Sequence, residues 1–536
     1  MAASPPPSRR QFLAQVAGTS GLALLASTLP FGASAQRQPV ATTRSGRVAG
    51  TTDGGVQVFR GIPYAGDTTR RRFQRALRET GWTGVRDASR FGASAPQRGD
   101  ADGQPVSEDC LFLNVYTPAL RDGGKRPILV YIHGGGYNNG SGSHPLYDGA
   151  NLCLRGDVVV VTVNHRLNAF GYLYLGESGD ERVRESGNVG QLDLIDALSW
   201  VREHAHAFGG DADNVTVFGQ SGGGAKIATL MAMPEADRLF HKAMTMSGQQ
   251  VTAAGPRAAA QRTALFMAEL GLGPRDVDRL LTMPMARLLD ATRVRDPSRV
   301  EDTALYFGPV LDTHQLPRHP FYPDAPAQSA GIPMVIGNTR DETRAFLGND
   351  PANFSLTWEQ LPQKLREQQF VDVSPDVVIS EYRRLYPDYT PSEVFFAATT
   401  AGRSWRGAIV EAEARARQGS PAWVYQLDWR SPADGGKLRA FHTLDIPLVF
   451  DNIAKEGSKT GTDARARAMA ARMSDALIAL ARHGDPNHAG IPAWRPYTLP
   501  QRQTMVFDDE SSLQDDPRGG ERRLYERVPF IQRGTM

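Results

Sequence analysis

Cysteine is almost missing from this 536-residue chain. The two present, Cys110 and Cys153, allow at most one disulfide, and neither stands in a CxxC or similar metal-ligand spacing. Eleven histidines are scattered without an HExxH pattern, so no metal site and no cofactor is expected. Runs of like charge are equally scarce. None exceeds three residues, as in RRR at 70–72, and the formal charge is only +2, which argues against a nucleic-acid partner. Past the first 35 residues no stretch approaches the roughly 20 apolar residues of a membrane span, so no stable membrane insertion is expected. Fixed-period repeats and low-complexity linkers are also lacking. What remains is 40% hydrophobic and 22% charged, enough for a large core, with a small molecule as the expected partner. A rule of about 150 residues per domain suggests three domains, but large α/β enzymes exceed it, and residues 36–536 read as one.

The first 35 residues stand apart. They hold no acidic residue, carry Arg9 and Arg10 within SRRQFL, continue into GLALLASTL and end in Ala33-Ser34-Ala35. This is the pattern of a twin-arginine export signal cleaved after Ala35, giving a periplasmic or secreted product. An N-terminal anchor is the alternative, but the apolar stretch is too short, and Pro30 and Gly32 follow it. Loss of two arginines from 60 basic and 58 acidic residues leaves the remainder neutral.

Strand and helix patterns alternate along the rest. RPILVYIHGGG predicts a buried strand over 128–132 running into a glycine loop, and DVVVVTVNHR a second over 158–163. In DLIDALSWVREHAHAF, Leu194, Ala197, Leu198 and Val201 share one helical face. NVTVF then predicts a third strand, and GGAKIATLMAM a helix. Between these two lies GQSGG. Strand, GxSxG and helix make a nucleophile elbow, where Gly219 and Gly223 flank Ser221 because larger residues would clash. The near-match GESGD at 176–180 lacks the second glycine and follows no clean strand.

HGGG at 133–136 follows a buried strand, and its glycines leave backbone N–H groups free to face a site. A flexible loop or a phosphate cradle is the alternative, but the following YNNGSGS supplies no phosphate-binding lysine. Gly135 and Gly136 are therefore read as oxyanion donors together with Gly222.

With these pieces in place the chain resembles the type-B carboxylesterases, an α/β-hydrolase family. FGGDADNVTVFGQSGG at 208–223 is similar to the family's active-serine signature and EDCLFLNVYTP at 108–118 to its second signature. FRGIPYA at 59–65, GNVGQLD at 187–193 and WRPYT at 494–498 extend the likeness from about residue 40 past 495. The resemblance implies a central, mostly parallel sheet flanked by helices, with long helical insertions over the active site and a small ester as substrate. By matching segments it also implies Glu342, in IGNTRDET, as the acid and His442, in FHTLDIPLVFDN, as the base. The order Ser221, Glu342, His442 is the one these hydrolases use. Asp341 is the rival acid, and Ser247, in MSGQ, is expected behind the acid and histidine.

Three further expectations rest on departures from the family. Cys110 matches the cysteine of EDCL, but Ala95 stands where relatives carry its partner, so both thiols should be free unless Cys153 lies within about 7 Å. Residues 95–109 contain no aromatic residue, and Gln220 stands where choline-selective relatives place Glu. Uncharged esters are therefore expected over choline esters, although Tyr306, Phe307, Phe321 or Tyr322 in the insertion could supply another cation site. Insertions over about 255–330 and 350–415 should form the lid and acyl pocket. A lipase or amidase would keep the same triad, and a non-catalytic relative would have lost a member of it.

Overall fold

The computed structural model describes residues 38–99, 101–297 and 303–532. The export signal called over 1–35 lies outside them. Residues 38–536 group as one unit.

Among the described residues fourteen strands run in chain order: β1 (Val40–Thr42), β2 (Arg47–Ala49), β3 (Thr51–Asp53), β4 (Val56–Pro63), β5 (Val85–Asp87), β6 (Phe112–Thr117), β7 (Arg126–Ile132), β8 (Val159–Val163), β9 (Gly210–Gln220), β10 (Lys242–Met246), β11 (Met334–Thr339), β12 (Ala422–Leu427), β13 (Gln503–Phe507) and β14 (Ser512–Asp515). β1, β2 and β5 form a small separate sheet, and the other eleven form one sheet in the order β14-β13-β12-β11-β10-β9-β7-β8-β6-β4-β3. From β13 to β8 every pairing is parallel. Antiparallel pairs close both edges.

The parallel centre is buried on both faces, which is why β7 (RPILVYI) and β8 (VVVTV) are apolar without alternation. β8 begins one residue later than the sequence suggests. β9 is longer than NVTVF, because pairing with β7 reaches back to Gly210. The helix expected after Asp193 begins at Val189 and ends at His204. Its first turn buries polar residues that carry no apolar signal: Asp193 is fully buried against Arg166 at 2.6 Å, and Gln191 caps a backbone carbonyl of the neighbouring helix. GESGD forms a three-residue 3-10 turn rather than an elbow.

Strand order reverses at β7, which has β8 on one side and β9 on the other. In open parallel sheets ligands bind at such a switch point, beyond the carboxyl ends of the strands. The HGGG loop leaves β7 there and Ser221 leaves β9. Ser247 follows β10, Glu342 follows β11, and His442 lies in the loop beyond β12.

Candidate active site

Ser221 sits between the last residue of β9 and the helix Gly222–Leu230 with φ 56° and ψ −126°. A serine held in that region of backbone space is strained, and the strain persists only because the surroundings enforce it. Its N–H donates to the carbonyl of Met246 at 2.8 Å, and its carbonyl accepts from Ala225 N at 3.1 Å. The space around the elbow excludes side chains. A Cβ on Gly223 would lie 1.9 Å from the Ile132 carbonyl oxygen, and one on Gly222 would lie 2.0 Å from that of Gly136. The elbow and the β7 loop therefore touch backbone to backbone.

That loop has φ +80° at Gly135 and +60° at Gly136, a left-handed run that glycine alone adopts without penalty. The Gly135 carbonyl accepts from Asn138 N at 3.1 Å and Asn139 N at 3.3 Å, which closes the loop. Gly136 and Gly222 border the same cavity as Ser221, whereas Gly135 is packed against Asn139 one step behind.

Glu342 is fully buried. One of its oxygens accepts from Asn338 Nδ2 at 3.1 Å and from Thr339 N at 3.0 Å, and the other is hydrogen-bonded to Nδ1 of His442. Burial by itself would push the carboxyl up. The facing His442 and the hydrogen bonds around it outweigh that, and the group lies below the usual carboxylate range. Ser247, at φ +50°, stands close enough to add to the lowering, though its hydroxyl lies outside the geometry of a well-formed hydrogen bond. Asp341 is turned elsewhere: it pairs with Arg344 at 3.2 Å and its N–H donates to the Ala440 carbonyl at 2.8 Å, tethering the loop that carries His442. The geometry thus separates two neighbouring carboxylates that the sequence leaves as rivals.

The amide nitrogen of Gln220 lies 3.2 Å from Nε2 and 3.4 Å from Nδ1 of His442. Near-equal distances to both ring nitrogens put the amide over the ring face. The Phe346 ring stands 4.7 Å from the imidazole, so His442 is held between an amide, an aromatic ring and Glu342.

Ser221, Glu342, His442 and Ser247 border one cavity of about 470 Å³, within the range of small-molecule sites. Its other wall comes from the two insertions expected to cover the site and from the chain's last described residues. Leu305 and Tyr306 come from the first insertion, Phe370 from the second, and Phe530, Ile531 and Gln532 from the chain's last described residues. Gly402, Arg403 and Ser404 enter from a π-helical turn, Ala401–Trp405. Such turns are rare and concentrate at functional sites. Of the insertion aromatics considered as cation binders, Tyr306 alone borders the cavity; Phe307 and Phe321 are buried in the core and Tyr322 is exposed.

Both cysteines are buried and free. Burial raises the Cys153 thiol to about 12 and Cys110 well above its ordinary value, so both are poor nucleophiles. Among the described residues no three His, Cys, Asp or Glu side chains cluster to hold a metal ion, and no helix is long and apolar enough to cross a membrane.

A parallel sheet whose strands end in a strained serine, a glycine loop and a buried Glu–His pair defines an α/β hydrolase. A model of the carboxylesterase family matches residues 37–524, and the chain belongs to that family. It is 34% identical over 499 residues to the para-nitrobenzyl esterase of Bacillus subtilis, covering 90% of this chain and 98% of that protein. To the phenmedipham hydrolase of Pseudarthrobacter oxydans it is also 34% identical, over 89% of this chain and 96% of the relative. The solved carboxylesterase EST55 of Geobacillus stearothermophilus matches with a TM-score of 0.81 at 38% identity, covering 91% of this chain and 99% of that one. The protein is a carboxylic ester hydrolase.

Proposed function

We propose that Ser221 is the nucleophile, His442 the general base and Glu342 the acid that orients it, with the N–H groups of Gly135, Gly136 and Gly222 as oxyanion donors. The observation that carries this reading is the buried Glu342–His442 pair bordering the same cavity as the strained Ser221. Because Nδ1 of His442 is engaged by Glu342, Nε2 is the nitrogen left to take the Ser221 proton as Oγ attacks the ester carbonyl. The tetrahedral anion collapses, His442 protonates the leaving alcohol, and an acyl-enzyme remains. Water, deprotonated by the same imidazole, then releases the acid.

Substrates are small and uncharged in this reading. Gln220 brings no negative charge to the base. The faces of Phe370 and Tyr306 already carry guanidinium groups, Arg403 at 4.0 Å and Arg262 at 5.8 Å, so a choline cation finds occupied rings and a positive lining side chain. Comparing kcat/KM for butyrylthiocholine with that for an uncharged butyrate thioester of similar size tests this: a choline advantage that fades with salt overturns it.

Ser221→Ala tests the chemistry. Folded variant protein is expected to lose several orders of magnitude in kcat on para-nitrophenyl esters, and retention of more than about a hundredth of the rate would remove Ser221 from the role. Running acetate, butyrate and palmitate esters beside an anilide separates esterase from lipase and amidase, and silence on all four favours a binding protein.

Export by the twin-arginine route is also proposed, from Arg9, Arg10 and the Ala33-Ser34-Ala35 ending. Replacing both arginines by lysine should leave the precursor in the cytoplasm; unchanged fractionation would sink this reading.

A further inference from the structure

The glycine loop after β7 is tied down from its rear by a side chain that the triad chemistry does not use. Lys226 lies five residues beyond Ser221 on the same helix and is fully buried. Its Nζ donates to the His133 carbonyl at 3.1 Å, at the residue that opens the loop, and lies 5.6 Å from the centre of the Tyr137 ring, just past the loop's end. No carboxylate among the described residues stands within ion-pair distance of it. Burial, with nothing to offset it, lowers the ammonium to about 7. Neither neighbouring imidazole can help: His133 and His165 stack at 4.7 Å, and burial together with the Lys226 charge keeps both well below their ordinary value.

This placement is expensive. A buried ammonium without a counter-charge is among the costliest groups a core can hold, and Ala225, Ile227, Ala228 and Leu230 beside it show that the helix otherwise buries apolar residues. Methionine would fill the space without that cost, but it would leave the buried His133 carbonyl without this donor. The connection is what the lysine supplies. The helix it stands on begins with Gly222, and the carbonyl it holds belongs to the residue just before the glycine loop. One hydrogen bond therefore spans the two backbone segments that must converge on a single oxygen.

We infer that Lys226 is a positioning residue that locks the 133–136 loop onto the nucleophile helix. The inference rests on the reading of Gly136 and Gly222 as oxyanion donors. Lys226 touches neither substrate nor the reacting atoms. It acts by fixing where the donors point, which makes its effect selective for the transition state.

The test is Lys226→Met, with Lys226→Gln as the second variant that keeps a donor but no charge. Steady-state kinetics on para-nitrophenyl acetate, calorimetric melting, and inhibition by a trifluoromethyl ketone that forms an anionic adduct with a serine are measured for each. K226M is expected to melt close to wild type, because an uncompensated polar group leaves the core while the His133 carbonyl loses its donor. Its kcat should fall about tenfold to hundredfold, less than the loss of a direct oxyanion donor costs, with KM within about twofold. Ketone affinity should weaken by the same factor as kcat/KM, and K226Q should lie between. If K226M does not fold, K226Q carries the test with the same split between kcat and KM. A folded variant with kcat within twofold of wild type overturns the proposal, as does a loss confined to KM or one that merely follows a lowered melting temperature. Activity surviving in Ser221→Ala would instead fell the underlying reading, so the two failures are distinguishable.

Discussion

The cavity over Ser221 has two walls built on different principles. Where β7 and β9 end, the wall is backbone: Gly222 and Gly223 pack so closely against the Gly136 and Ile132 carbonyls that a single methyl group cannot be added to either. Opposite it, the wall is side chain: Tyr306, Phe370, Arg403 and Phe530 arrive from two insertions, a π-helical turn and the last described residues. In the function proposed above the first wall governs where an anion forms, and at Gly222 and Gly223 the geometry leaves no room for a side chain. The second governs what shape of ester reaches it, and a changed side chain there alters the space without moving the chemistry.

The sharpest way to break this comparison is Gly223→Ala. Its Cβ would fall 1.9 Å from the Ile132 oxygen and 2.9 Å from the Ile132 carbon, both in the backbone of a central strand that cannot move aside. Overpacking costs about 1–3 kcal/mol when flexible side chains absorb it, and more where only backbone can. The expected result is little folded enzyme, with the folded fraction losing activity at least as far as a triad mutant. Near-wild-type turnover and melting would show the backbone wall to be compliant.

How much could be read in advance follows the same division. The elbow and the glycine loop were legible because a strained serine and close backbone contacts demand glycines at fixed spacings, and spacing is visible in sequence; the Glu342 and His442 proposals came from the family resemblance instead. The parallel centre of the sheet was legible because double burial makes its strands continuously apolar. Asp341 and Glu342 have the same local signal as adjacent loop carboxylates, and only the family resemblance favoured Glu342; in the structure it is burial against His442 that distinguishes it. The π-helical turn at AGRSW has no composition of its own, and Phe530 follows every regular element, so neither announced itself. Lys226 was hidden differently: a lysine in a helix reads as a solvated one.

Next in size is the acid. Glu342→Gln leaves an amide facing Nδ1 of His442, so the imidazole can be held in the wrong tautomer, and loss of the carboxylate in such triads costs up to about 10⁴-fold in kcat. Asp341→Asn should cost far less, because Asp341 acts only through Arg344 and the Ala440 loop. Rates of the two purified variants on one activated ester decide it, and the reverse ranking would transfer the role to Asp341. Melting should show the opposite sensitivity to pH. The Glu342 carboxyl is held below its unfolded value, so its stabilisation is present above that value and disappears as pH falls through the lower folded one. The glutamine variant should therefore lose its stability deficit in acid.

The smallest effect is expected from the side-chain wall, where it is a change of preference rather than of rate. Phe530 is only partly buried: its ring rests on the helix Arg406–Gln418 beside Gly407, and Gln532 two residues on accepts a hydrogen bond from Val251 N at 3.0 Å, which pins the tail at the cavity's edge. Phe530→Ala removes the ring while keeping that anchor, at a modest cost in stability because the ring also packs against the edge of the main core. A methylene in an apolar pocket is worth about 10–200-fold in discrimination. A half-buried ring at the rim should act at the lower end, raising kcat/KM for large esters relative to small ones by about tenfold. Two series are needed, one lengthening the acyl chain from acetate to octanoate and one enlarging the alcohol, because the ring could face either part of the ester. A shift in one series with kcat on acetate unchanged would assign that part to the tail and keep the two walls distinct. If neither series shifts, the tail only covers the site. If acetate turnover falls together with both series, the side-chain wall shares in the chemistry, and the division drawn between the walls is wrong.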